Sequence, residues 1–138
     1  MPLSYQPFFP ASLQTISLAN VAGANIQNVV QGGVNGTKVE SLVISSNDSI
    51  DHALQFSLNV SGVYSFLCNV NITANAGNSI GNVPFNFLGN NNLAFLPQDP
   101  NGNKYLYLAN ASCSLVCASN SLNSTAKVVS VTGQAAIF

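Results

Sequence analysis

Between Leu54 and Thr73 the chain alternates. Leu54, Phe56, Leu58, Val60, Tyr64, Phe66, Cys68, Val70 and Ile72 take the even positions, with Gly62 the exception, and the odd positions are mostly Gln, Ser, Asn and Thr. A period of two puts one set of side chains on one face of an extended strand, so this stretch predicts two half-buried strands joined by a hairpin near Gly62. Two registers compete. A two-residue loop of Ser61 and Gly62 sets Leu58 against Ser65, core opposite solvent. A three-residue loop of Val60, Ser61 and Gly62 sets Leu58 against Tyr64, Phe56 against Phe66 and Leu54 against Cys68, with Gly62 at the left-handed bulge position. The alternation favours the second.

Other segments share this grammar. LQTISLANV at 13–21 and KVESLVISS at 38–46 are rich in strand formers, the second bracketed by the turn dipeptides Asn35-Gly36 and Asn47-Asp48. Asp99-Pro100-Asn101-Gly102 has the chemistry of a type I turn, with KYLYLA following as a strand. SCSLVCA and TAKVVSVTG complete the series. Short strands at this spacing predict an all-β fold, an antiparallel β-sandwich (jelly-roll-like or Ig-like) of about 7–9 short strands with little helix. VPFNFLGNNNLAFL is read as one short helical turn or an irregular loop.

The segment MPLSYQPFFP carries three prolines and three aromatics and fits neither a helix nor a central strand. The expected organisation is an extended arm and first strand over 1–20 and a single sandwich over 21–138. Tyr5, Pro7, Phe8, Phe9 and Pro10 in the arm, with Ile137 and Phe138 at the other end, are the candidate interface residues. The arm either packs on its own sandwich or is held by a neighbouring subunit.

Charge sharpens the picture. Three Lys, no Arg and four acidic residues leave a net charge of −1 in 138 residues, while 47% are apolar. A typical domain has about a quarter of its residues charged, so this surface reads as one made to be covered. Without a basic stripe to displace counterions, nucleic acid is not an expected partner. Apolar runs are broken within a few residues, so no bilayer-spanning segment is expected, and the absence of a basic, apolar leader predicts synthesis in the cytoplasm.

Candidate chemistry is thin. Gly77-Asn78-Ser79-Ile80-Gly81 matches the nucleophile-elbow pattern, but the lone His52 precedes the serine and no helix is signalled after Gly81, so a Gly/Asn turn is expected instead. His52, near Asp48 and Asp51, is read as a solvated or hydrogen-bonded loop residue and not half of a dyad. A calcium site on these carboxylates lacks ligands, leaving no metal, cofactor or catalytic residue expected. Cys113 and Cys117, if on one strand, stand about 13 Å apart and cannot bridge. Cys68 could meet one of them across the core, or all three stay reduced. Six Asn-x-Ser/Thr sequons follow from a composition rich in Asn, Ser and Thr.

The runs GTKVESLVISSNDSIDHALQFSLNV, ITANAGNSIGNVPFNFL and LPQDPNGNKYLYLANASCSLVC, with the segment Gly102-Asn103-Lys104-Tyr105-Leu106, resemble a group of small virion proteins encoded near the capsid genes of tailed bacteriophages. The likeness covers about Gly36 to Phe138. It implies a capsid decoration or cement protein on the outside of the phage head, made in the bacterial host cytoplasm. Its partners would be the major capsid protein and neighbouring copies of itself, as a homo-oligomeric trimer or dimer. On this reading the protein is not an enzyme. The alternative is a carbohydrate- or receptor-binding sandwich of a phage fibre or tail, which Tyr5, Tyr105 and Tyr107 support and the absence of Trp weakens.

Overall fold

The computed structural model describes residues 26–78, 80–90 and 93–138, together with the strand backbone of 12–17. Among them are nine strands: β1 (Ser12–Ser17), β2 (Gln27–Gln31), β3 (Thr37–Ser46), β4 (His52–Val60), β5 (Val63–Ile72), β6 (Phe85–Asn86), β7 (Leu106–Leu108), β8 (Cys113–Ser119) and β9 (Val129–Ile137). No α-helix occurs among the described residues.

Every pairing between strands is antiparallel, and the strands form two sheets. One has the order β1-β9-β3-β6, with β7 also on β3; the other runs β2-β8-β4-β5. β6 pairs with Val43 and Ile44, and β7 with Thr37 to Val39, so the two short strands divide one edge of β3. Nine strands thus fill eight sheet positions, in the order of a jelly roll, which decides between the two sandwiches expected. Only β4 and β5 are consecutive neighbours within a sheet. β1 is an edge strand of the sandwich, paired along its length with β9.

The core lies between the sheets, where alternate residues of β3 (Val39, Leu42, Ile44), β4 (Leu54, Phe56), β5 (Cys68, Val70, Ile72) and β9 (Val129, Val131, Ala135) are buried. The stretch after β6 is an irregular loop with successive i→i+3 bonds from Asn90, Leu93 and Leu96 to Phe87, Asn90 and Leu93. It drives Phe87, Leu88, Leu93 and Leu96 into the core, and the Phe87 ring stands 4.3 Å from that of Phe56. Burial of this kind is the main favourable contribution, roughly 1.5–3 kcal/mol for each large apolar side chain.

β3 carries a bulge between Val39 and Ser41 that turns both Glu40 and Ser41 away from the core. Opposite it, Gly133 approaches so closely that a Cβ would lie 2.0 Å from the Ser41 carbonyl oxygen, so this contact requires glycine.

The β4–β5 hairpin departs from the expected register. Its loop has two residues, Ser61 (φ 53°) and Gly62 (φ 87°), both left-handed as in a type I′ turn, and it pairs Val60 with Val63, Asn59 with Tyr64 and Leu58 with Ser65. A bulge after Phe66 then restores the alternation, pairing Phe56 with Cys68 and Leu54 with Val70. Leu67 is the extra residue. It puts Tyr64 and Phe66 opposite Asn59 and Ser57 on the outer face, 54% and 60% exposed, where the even-position pattern expected them in the core.

All three cysteines are free thiols. Cys68 and Cys117 both face Phe56 from opposite sides, two strand spacings or about 10 Å apart, which is beyond bridging distance. Burial pushes the Cys117 thiol up to about 12.

Candidate functional site

Tyr107 and Lys38 are direct neighbours across the β3–β7 ladder, on the face of the sheet turned away from the core. Tyr105 precedes β7 and is anchored by its N–H to the Pro97 carbonyl at 3.2 Å. The Lys38 ammonium sits 4.7 Å from the centroid of the Tyr105 ring and 3.6 Å from the Glu40 carboxylate. The loop that supplies the facing wall is rigid for local reasons. Asp99 accepts the Asn101 and Asn103 N–H groups at its carboxylate, each at 2.9 Å, and the Gly102 N–H at its carbonyl, closing the turn that the Asp-Pro-Asn-Gly sequence predicts.

The result is a two-lobed groove. A polar lobe of about 660 Å³ includes Glu40, Ser41, Asn86, Asn103 and Lys104. An aromatic lobe of about 640 Å³ includes Asn35, Pro97, Gln98, Tyr107 and Phe138. Lys38, Asp99 and Tyr105 border both. Of the seven formal charges in the chain, four stand here, two lysines against two carboxylates. Tyr107 is half-exposed, with its hydroxyl 3.5 Å from the Asn35 carbonyl and its ring end resting on Gly36, where a Cβ would lie 2.1 Å from that hydroxyl.

A second polar constellation has a fully buried pair, Asp48 and His52, with the half-buried Ser121 at its side. His52, the first residue of β4, holds Asp48 Oδ2 through Nε2 at 2.9 Å and Ser121 Oγ through Nδ1 at 2.9 Å. A carboxylate only accepts, so Nε2 carries a proton and donates to Asp48, while Nδ1 shares a hydrogen bond with the Ser121 hydroxyl. The Ser124 N–H at 2.8 Å is the main cause holding the Asp48 carboxyl well below the usual carboxylate range; burial opposes it and His52 assists. Asp48 and His52 are both completely buried, where the sequence reading allowed His52 to be solvated; its hydrogen bonding matches the other half of that reading.

These are the residue types of a serine hydrolase, in a different arrangement. In that chemistry the acid holds Nδ1 and the nucleophile faces Nε2 beside an open cleft, whereas here the ring is reversed and sealed. The cluster ties loops together: Asn75 N–H bonds the Asp48 carbonyl at 2.8 Å, and Val128 N–H bonds Asn47 Oδ1 at 2.8 Å. Asp51 caps the next connection by accepting the Ala74 N–H at 2.8 Å. Among the described residues no group of three or more His, Cys, Asp or Glu is placed to hold a metal.

A third feature is the hairpin tip, where Val60, Val63, Tyr64 and Phe66 are exposed. From His52 to Gln98 the sequence has no Asp, Glu, Lys or Arg at all.

Of the residues singled out by sequence, Tyr5, Pro7, Phe8, Phe9, Pro10 and Ser79 lie outside the described residues. Ile137 pairs with Ser12 on one side and Thr37 on the other, and Phe138 donates its N–H to the Gly36 carbonyl at 3.0 Å and lines the aromatic lobe; both are half-buried. Ala135 and Ala136 are buried between β1 and β3. The apolar segment Ala135 to Phe138 is therefore largely accommodated by its own sheet. Sequence reasoning missed Lys38, Glu40 and Lys104 as a group, although the scarcity of charge elsewhere was the available signal. A scan against protein-family models finds no match, and a search of curated proteins finds no related sequence.

Proposed function

We propose that this chain is a virion structural protein, a capsid decoration or cement subunit that acts by adhesion to neighbouring copies and to the outside of a phage head, and not by catalysis. One observation supports this most: the outer part of hairpin β4–β5 has the properties of an interface and lacks the usual safeguards against one. Among the described residues no strand pairs with the far edge of β5, a strand of ten residues without Pro or any charge. Natural edge strands of this length are normally blunted by Lys, Pro or inward charges. Only the bulge at Leu67 interrupts this one. Its exposed Val63, Tyr64 and Phe66 supply apolar area with large, rigid rings, the composition favoured at the centres of protein interfaces.

Self-pairing is the simplest use of such an edge. An antiparallel pair of β5 strands related by a two-fold axis at Ser65 sets Tyr64 of each copy against Phe66 of the other. Cross-strand aromatic pairs add roughly 0.2–1 kcal/mol each beyond the ladder itself. Because a two-fold opposes every residue to a counterpart on the same strand, a charge near the axis would meet its own kind, and β5 has none. The expected assembly is a dimer whose joined sheets present a neutral face to a shell.

The test joins solution state to location. Ser65→Cys should form a covalent dimer under mild oxidation without loss of fold, since directly opposed residues have Cα atoms about 4.5–5.5 Å apart, within disulfide reach. The wild-type protein should sediment as an oligomer and be found at stoichiometric occupancy on purified particles. A stable monomer absent from particles would overturn the proposal.

A further inference from the structure

We infer that the groove on the outer face of the β3–β7 sheet binds a neutral saccharide, with Tyr107 as the stacking platform and the surrounding amides and carboxylates as the hydroxyl-recognising rim. The inference is independent of the assembly reading and rests on different residues.

Charge selects the class of ligand first. A chain that nearly dispenses with ionised groups keeps four of seven around one groove, in a balanced set of two lysines and two carboxylates. A polyanion such as nucleic acid or a sulfated glycan would bring its charge against Glu40 and Asp99, and a polycation would meet Lys38 and Lys104. A net-neutral rim favours a neutral ligand with many dipoles.

Shape and chemistry narrow it further. Each lobe falls within the roughly 300–1,000 Å³ typical of small-molecule clefts. A pyranose has an apolar C–H face and a rim of hydroxyls, each both donor and acceptor. The aromatic lobe suits that face: Tyr107 is exposed, and its contact with the bare Cα of Gly36 fixes the ring against the sheet. Gly36 has φ +102°, a conformation that disfavours other residues, so the turn and the platform depend on the same glycine. The polar lobe suits the rim, because Asn86, Asn103 and Glu40 present planar groups able to engage adjacent hydroxyls. An apolar lipid tail would leave these groups without partners on desolvation. Tyr105 divides the lobes with one ring face beneath the Lys38 ammonium, which pins its orientation. Two lobes joined at one ridge fit a ligand of at least two sugar units.

The test uses the full-length protein and defined probes: maltose, cellobiose, lactose, mannobiose and chitobiose, with heparin fragments and the peptide MPLSYQPFFP as competitors from other classes. Saturation-transfer and amide-shift NMR should detect at least one disaccharide, with shifts confined to Asn35, Gln98, Lys104, Tyr105 and Tyr107. Tyr107→Ala should weaken that binding by about tenfold or more, and Gln98→Ala to a smaller degree, while Tyr64→Ala on the distant hairpin leaves it unchanged. Absence of groove shifts with every disaccharide at ~10 mM, well above a millimolar dissociation constant, would overturn the inference. So would saccharide binding unaffected by Tyr107→Ala, or preferential binding of heparin or the peptide at these residues.

Discussion

The two ends of hairpin β4–β5 are made of the same kinds of residue and come to opposite fates. At the base, Leu54, Phe56, Val70 and Ile72 are buried between the sheets; at the tip, Val60, Val63, Tyr64 and Phe66 stand in solvent. One extra residue, Leu67, turns Tyr64 and Phe66 to the outer face, because inserting a single position into a strand exchanges its faces, whereas Val60 and Val63 keep the core-side parity and are exposed where they flank the turn. Alternation therefore identifies a ribbon with an apolar side without saying whether that side meets its own sandwich or another molecule.

The largest effect that sharpens this contrast is Phe56→Ala, which should destabilise by about 3–5 kcal/mol, while Phe66→Ala should stay within about 0.5 kcal/mol; denaturant titration measures both. Equal losses would erase the distinction between base and tip. A smaller effect belongs to the polar root of the base, the Asp48–His52–Ser121 cluster. The Asp48 pKa is lowered on folding, so its contribution is fully present above the ordinary Asp value of about 3.9 and is lost as pH falls below it toward the folded value. Melting temperature against pH should show that acid limb in the wild type, whereas Asp48→Asn should be less stable at neutral pH and show a shallower limb. Ser121→Ala removes one hydrogen bond to the ring and should cost about 1 kcal/mol. The smallest effect on stability is also the most telling for function: Tyr64→Ser with Phe66→Ser should leave melting nearly unchanged and abolish the Ser65→Cys cross-link.

Much of the architecture was legible in advance. The strands β3, β4, β5 and β8 announce themselves by strand-forming composition and period-two patterning, and the Asp99 turn by its four residues. β2 escaped notice because five residues with Gln and Asn at most positions and a bulge between Asn28 and Val30 carry no clean alternation. The hairpin register was misread although Leu67, apolar beside apolar Phe66, was the visible sign of a phase change. The buried cluster was out of reach for another reason. Ser121 lies 69 residues from His52, and only the pairing of β4 with β8 brings the ends of those strands together. The groove depends likewise on a cross-strand neighbour, Tyr107 beside Lys38, that no local pattern encodes.

The shared edge of β3 has a consequence for how such a protein can change. Because β6 holds one end of that edge and β7 the other, the described residues between these two fixed anchor points contribute core plugs on the inside and a groove wall on the outside. Lengthening or rewriting the outward part of this stretch leaves the ladder between β3 and β9 untouched. Recognition and framework are thus separately mutable, and descendants of one scaffold can acquire new tastes without relearning how to fold.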